Sequence, residues 1–316
     1  MATEQIAQAQ QHIATHRALP LFVRPRIRDL GRALLYASPA LVIFFMFTYF
    51  PFVRAIYLSL HITNPAGEAR RFVGLQNYAR ILGLDPNSTV NFVPYIGESF
   101  KFAVLVVPAG IVIAIALAML ATVRVRGIEI FRTIFTSSIA ISLASSGVIW
   151  ALIYNPSTRA TRWLVDLLGL QQPSLLANEA TALIAVAVMS VWSGIGFNFI
   201  ITLAGIQAIP QDLYESAAID GANRWSAFRR ITLPLLSPTL LFLLVINTIG
   251  SLQAFTQFHL LIPEKTPNVY VYATYREFWY NNRYGFASAM SLVLFVMLLI
   301  LTIVQYRLAN RRVHYQ

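Results

Sequence analysis

Six stretches of this chain carry no Asp, Glu, Lys or Arg and are each long enough to cross a bilayer: 33–53, 102–123, 133–158, 180–210, 231–263 and 284–306. A spanning helix needs about 20 such residues. In hydrocarbon every backbone N–H and C=O must be paired, which leaves only helices and closed barrels. None of the six runs alternates apolar and polar residues as a barrel strand does. The pattern predicts an all-α membrane protein with six transmembrane helices. The runs 180–210 and 231–263 exceed what a span needs, so their ends are expected to include loop. Composition agrees, with 57% hydrophobic and 12% charged residues against about 25% charged in a soluble domain. The first run is longer than the apolar core of a cleaved leader and follows a polar segment, so it reads as a retained anchor. The expected organisation is a cytoplasmic N-terminal segment 1–32, a transmembrane domain 33–308 and a cytoplasmic tail 309–316.

The net charge of +11 raises the question of nucleic acid, but its distribution answers it. Fourteen of the 24 Lys and Arg residues lie in the N-terminal segment, the 124–132 and 211–230 loops and the C-terminus. The other ten are spread over longer loops on the opposite side. The denser set faces the cytoplasm by the positive-inside rule, which puts both termini inside and nucleic acid outside the list of partners. The opposite loops carry turn formers (Asn64-Pro65, Asp85-Pro86-Asn87, Asn155-Pro156, Pro267-Asn268). They also carry the interface aromatics Tyr154, Trp163, Trp279, Tyr280 and Tyr284.

Several chemistries find no footing. Cysteine is absent, and with it thiolate metal sites and cysteine nucleophiles. His12, His16, His61, His259 and His314 are scattered, without ligand spacing in the membrane body. A phosphate-binding loop needs Gly-x-x-x-x-Gly-Lys-Ser/Thr. Lys101 precedes Phe102, and Lys265 follows Glu264, so ATP is not bound through that motif here. A self-contained ion-coupled carrier is the competing expectation. It usually places acids or bases within its spans, whereas the six runs hold only His259; coupling through neutral groups stays open.

The most specific segment joins the fourth and fifth runs and reads from Ile209 to Pro234. Pro210 suits the first position of a helix, and Asp212 and Glu215 fall near its positive end. Gly221 permits a sharp bend, and Asp220 or Asn223 is placed to cap a second helix. That helix runs through Trp225, Phe228 and Thr232, and Pro234 and Pro238 restart the chain into the membrane. Glu215-Ser-Ala-Ala-Ile-Asp220-Gly221-Ala222, followed at fixed spacing by Ile231-Thr-Leu-Pro234, resembles the EAA signature of ABC importer permeases. Ser216 departs from the usual Ala but is still small. Phe72-Val-Gly-Leu-Gln-Asn77-Tyr78 resembles the carbohydrate-type members, which include sugar and glycerol 3-phosphate permeases.

The resemblance implies a division of labour. The loop would dock on a cytoplasmic ATPase through Glu215, Ala217, Ala218, Asp220, Gly221, Trp225 and Phe228. Two ATPase subunits would hold ATP and Mg, so this chain is not expected to be an enzyme and needs no cofactor of its own. A homologous second permease would complete the path through a bacterial or archaeal inner membrane, and an extracytoplasmic solute-binding protein would deliver cargo. Membrane lipid would surround the spans. Substrate contacts are expected on the helices flanking the loop, at Trp192, Ser193 and Asn198 on the fourth and Asn247, Ser251 and Gln253 on the fifth. Neutral amides, hydroxyls and an aromatic suit a sugar or polyol, with glycerol 3-phosphate or its diesters as the alternative cargo. Any one of these residues serves equally well to hold helices together.

Overall fold

The computed structural model describes residues 27–86, 91–123, 125–167, 169, 175–262 and 269–310. The basic residues Arg17, Arg24, Arg26, Arg124, Lys265, Arg311 and Arg312 lie outside them, as do His12, His16, His314, Asn87 and Pro267-Asn268. Contacts divide the chain into two compact units, one up to Arg54 and one from Ala55 onward.

Helix α1 (Ile27–Phe44) contains Pro39 and passes through a π-turn at Phe45–Tyr49 into α2 (Phe50–Ser59), whose residues from Ala55 on belong to the second unit. The π-turn closes with the Phe50 N–H on the Phe45 carbonyl. The stretch Arg32–Ser59 is apolar enough to span, and no residue of its most apolar window is buried. A helix with apolar side chains all round belongs in lipid or against other spans.

The second unit also has a feature outside the all-α expectation, a two-stranded hairpin of β1 (His61–Thr63) and β2 (Ala69–Phe72). It pairs His61 with Phe72 and Ile62 with Arg71, with a register shift before Thr63–Ala69. Asn64 closes its turn, its side-chain oxygen accepting from the backbone N–H of Ala66 and Glu68 at 3.1 and 2.8 Å. Next comes α3 (Gln76–Ile81), then α4 (Val93–Ala121), 29 residues that reach about 43 Å at 1.5 Å per residue.

The third run is broken. Helix α5 (Ile128–Ser137), a 3₁₀ turn at Ser138–Ala140 and α6 (Leu143–Ile153) meet at a bend of 101°. Ile141 is extended, and the Ser142 hydroxyl caps α6 by accepting from the Ser145 N–H at 3.1 Å. A capping serine holds the backbone in a non-helical conformation just ahead of the new helix. The short α7 (Arg159–Leu167) leads to α8 (Glu179–Gln207). The fourth run is thus helical almost to its end, with little of the loop expected there.

Helix α9 (Gln211–Ile219) starts the connecting loop, and α10 (Arg224–Ala227) continues through a π-turn at Phe228–Thr232 into α11 (Leu233–Leu235). After a 64° bend around Leu236, α12 (Ser237–Leu252) crosses, followed by the short α13 (Thr256–Leu261). The fifth run therefore does hold loop, as its length required. Finally, α14 (Tyr270–Trp279) caps the far end and α15 (Tyr284–Asn310) spans. The described residues give four unbroken spans and two bent ones, six crossings in all.

Small residues set the packing. Helices α4 and α8 share clusters containing Phe102, Val106, Val186 and Met189 toward one end, and Ala118, Ala121, Phe199 and Ile206 toward the other. A Cβ at Gly196 would meet the Ser138 hydroxyl at 2.5 Å, one at Gly205 the Leu236 side chain at 2.7 Å, and one at Gly147 Leu260 at 2.6 Å. With lipid tails as apolar as the helices, close backbone approach of this kind drives association.

Candidate coupling loop and polar pathway

The loop is built from short helices, with most of their side chains exposed. Pro210 takes the capping position, one residue earlier than expected, with Gln211 as the first helical residue. Asp212 lies in the first turn. Glu215 is exposed and accepts from the Gln211 carboxamide at 2.9 Å. Of the two proposed caps, Asn223 is the one used, its side-chain oxygen accepting from the Ser226 N–H at 2.8 Å. Asp220 instead ends α9, and Gly221 follows with φ +77°, a left-handed conformation that glycine adopts without strain.

Ala218, Asp220, Gly221 and Trp225 are exposed, while Ala217 and Phe228 are half-buried. Ile219, which motif reasoning passed over, is the most open apolar side chain of the loop at 88% exposure, with Trp225 at 68%. The Trp225 and Phe228 rings stack at 5.4 Å. One side-chain bond ties α9 to the entry of the fifth span, Tyr214 hydroxyl to Thr232 hydroxyl at 2.9 Å.

Of the six pathway candidates, the structure brings two together. The Asn247 carboxamide donates to the Asn198 side-chain oxygen at 2.9 Å and to the Leu243 carbonyl at 2.8 Å. Asn198 is 3% exposed, and its amide nitrogen sits 3.2 Å from where a Cβ at Gly110 would lie. Three helices, α4, α8 and α12, thus converge on one neutral amide pair. One residue further along, Thr248 accepts from Gln305 of α15 at 2.9 Å, so α12 is pinned on both sides at the same level.

The remaining four stand apart. Ser193 donates to the Ser190 carbonyl at 3.0 Å, a bond within its own helix. Trp192 packs edge-on against Trp150 of the broken third span at 5.9 Å. Ser251 is buried, and Gln253 is exposed at the end of α12. Trp150 and Gln305 were missed because each lies in or beside an uncharged run with nothing in its spacing to distinguish it.

The far end is tightly built. Asn77, in the Phe72–Tyr78 stretch, is buried and donates to the carbonyls of Ser59 and His61 at 2.8 and 3.3 Å, while the Tyr78 hydroxyl donates to that of Ser59 at 2.7 Å. The Tyr270 N–H donates to Ser99 and its hydroxyl to the Met290 carbonyl at 3.1 Å. Burial pushes the Tyr270 phenol above its usual range, keeping it a donor. Glu277 is buried and accepts from Asn281 at 2.9 Å, with the Arg283 guanidinium 3.5 Å away.

Broken and unbroken spans around an amide pair, with an exposed helical elbow between the fourth and fifth, define a polytopic membrane protein. Comparison with known proteins makes that class specific. Residues 18–314 match the model of the binding-protein-dependent transport system inner membrane component family, and the chain belongs to that family. It is 32% identical over 285 residues to the sn-glycerol-3-phosphate transport system permease protein UgpA of Rhizobium meliloti (strain 1021), covering 89% of this chain and 95% of that one. It is 31% identical over 289 residues to the trehalose/maltose transport system permease protein MalF of Thermococcus litoralis, covering 91% and 96%. A chain of a bacterial ABC transporter involved in import of the acidic polysaccharide alginate superposes with TM-score 0.74 at 26% identity, covering 90% and 98%. A chain of a bacterial alginate ABC transporter in complex with an alginate pentasaccharide-bound periplasmic protein gives 0.76. The chain is therefore a permease of an ABC importer of the sugar and glycerol 3-phosphate type, which sets aside the self-contained carrier.

Proposed function

We propose that residues 210–234 receive a cytoplasmic ATPase subunit and that α12 carries its movement to the Asn198–Asn247 pair. The observation that carries this reading is the contrast within one continuous segment. Its first part exposes Glu215, Ile219 and Trp225, and its last part bears Asn247. An exposed tryptophan and an exposed isoleucine on one short loop have the composition of an interface anchor. ATP and Mg sit on two partner ATPase chains, this chain has no catalytic role, and a homologous second permease completes the path. A solute-binding protein meets the far end, and both termini and the loop lie in the cytoplasm, as the density of Lys and Arg requires. The cargo is a neutral sugar or polyol, since the amide pair offers hydrogen bonds without charge; glycerol 3-phosphate, the cargo named for the UgpA relative, is the second reading.

Co-expression with the partner ATPase and second permease tests the docking half. Glu215→Lys is expected to abolish ATPase co-purification while the membrane-inserted yield stays unchanged, and normal co-purification removes the loop from the interface. In vesicles of the intact complex, Asn247→Ala leaves the Asn198 amide unpaired. Uptake should fall about fivefold, the equivalent of roughly 1 kcal/mol, with assembly preserved. Unchanged uptake kinetics take the pair out of the path.

A further inference from the structure

Beyond the end of α12, six aromatic rings gather on two short helices that no motif singled out. Helix α13 supplies its His259 ring, and Phe255 just ahead of it stacks on that ring at 5.2 Å, 15° from parallel. Helix α14 supplies Tyr272, Tyr275 and Trp279, spaced i, i+3 and i+7 and so on one face. Tyr270, Tyr272, Ala273 and Glu277 are buried, so the open part of this face is its Trp279 end. Tyr275 is the hub. Phe255 lies 4.7 Å from it, His259 5.5 Å, Tyr280 6.0 Å, Tyr272 6.2 Å and Trp279 6.4 Å. The cluster is not closed over, since His259 is exposed and Trp279 and Tyr280 are 64% and 58% exposed.

We propose that this cluster is a stacking platform for the ring of a cyclic sugar, placed where cargo enters the path. The proposal rests on the sugar-importer reading above and narrows it. A pyranose ring has a face of C–H bonds and a rim of hydroxyls. The first packs on the electron-rich face of an aromatic ring, and the second needs hydrogen-bonding groups beside it. Both are present. Open aromatic surface is supplied by His259, Trp279 and Tyr280, and polar edges by the imidazole, the exposed Tyr280 phenol and the exposed carboxamide of Gln253, two residues before Phe255. Trp and Tyr that anchor a protein at the membrane surface form belts at the headgroup level. Here they are packed ring on ring around one residue and continue directly from the span that bears Asn247. Glycerol 3-phosphate has no ring face, so the platform favours cyclic cargo over it.

The test uses the whole complex, with its ATPases, second permease and solute-binding protein, in proteoliposomes. Uptake of radiolabelled maltose, trehalose and glycerol 3-phosphate is measured for the wild type and for Trp279→Leu, Trp279→Tyr and His259→Leu. At least one disaccharide is expected to be imported. Each leucine variant should raise its apparent KM about tenfold with kcat little changed, and Trp279→Tyr should restore it. Thermal unfolding of the purified complex checks the fold. A loss of uptake that merely follows a loss of folded complex, a tyrosine variant no better than leucine, or equal uptake by leucine and wild type each overturns the platform. So does import of glycerol 3-phosphate alone, which leaves the importer reading standing. Absence of ATP-dependent uptake of all three compounds overturns the sugar reading and the platform with it.

Discussion

The two ends of the second unit are finished in opposite ways. At the far end several buried polar groups bond across segments. Asn77 holds the end of α2, Ser99 of α4 holds α14, and Glu277 holds the turn into α15. In the loop itself the polar bonds stay mostly local, although beside it Arg132 of α5 donates to the Ala121 carbonyl of α4 at 2.8 Å. Glu215 is held by Gln211 of the same helix, and Asn223 caps its own helix. The Tyr214–Thr232 bond is the loop's tie across elements among those described. One end is therefore tied together across segments, although it keeps open aromatic surface at Trp279 and Tyr280. The other presents open apolar and charged side chains, Ile219, Trp225 and Glu215 among them, which the proposed ATPase subunit would cover.

Two glycines expose that difference most directly, because each is required for a different reason. Gly285, at the start of α15, has no room. A Cβ there would overlap the His61 carbonyl oxygen and lie 2.8 Å from that of Leu58. Both obstacles are backbone, and neither can swing aside. Gly285→Ala must separate α15 from the hairpin and break the Gly285 N–H bond to the Thr63 hydroxyl, 3.1 Å long. We expect the largest loss here, about 3 kcal/mol of overpacking, read as a fall in folded yield and in the unfolding temperature in detergent. An alanine variant as stable as the wild type would show that the far end is looser than its bonds imply.

What could be read in the sequence follows the same division. The uncharged runs gave the spans because hydrocarbon punishes every unpaired backbone group, a constraint visible in composition alone. The loop was legible because its elbow, cap and anchors are local features, down to Gly221 and Asn223. The bend in the third run was not, although the stretch from Ser137 to Ser146 holds five serines, both ends included. Serine in an apolar run is tolerated in a straight helix as well as at a cap, and only the extended Ile141 decides between them. Of the pathway candidates, the Asn198–Asn247 pairing depends on how α8 and α12 pack, across 49 residues of sequence. Trp192 and Ser193 share the same helix as Asn198, yet their partners are Trp150 and their own backbone. Residue type marked all of them, and packing separated them.

Gly221 completes the comparison from the loop end. Its φ of +77° is the left-handed region, yet a Cβ built on it finds nothing within 4 Å. Alanine there meets no neighbour, and its penalty is purely that of the backbone, about 1 kcal/mol. Because the loop is joined to the body by so little, that strain need not reach the spans. Gly221→Ala should leave the unfolding temperature of the membrane body unchanged. The elbow would instead relax toward angles that alanine favours, moving α9 relative to α10 and the Trp225–Phe228 pair. The affinity for the ATPase subunit should then fall about fivefold, the equivalent of that 1 kcal/mol, measured by titrating purified ATPase onto the permease pair. If the unfolding temperature falls instead and the affinity holds, the loop is part of the body's own stability, and the contrast between the two ends fails.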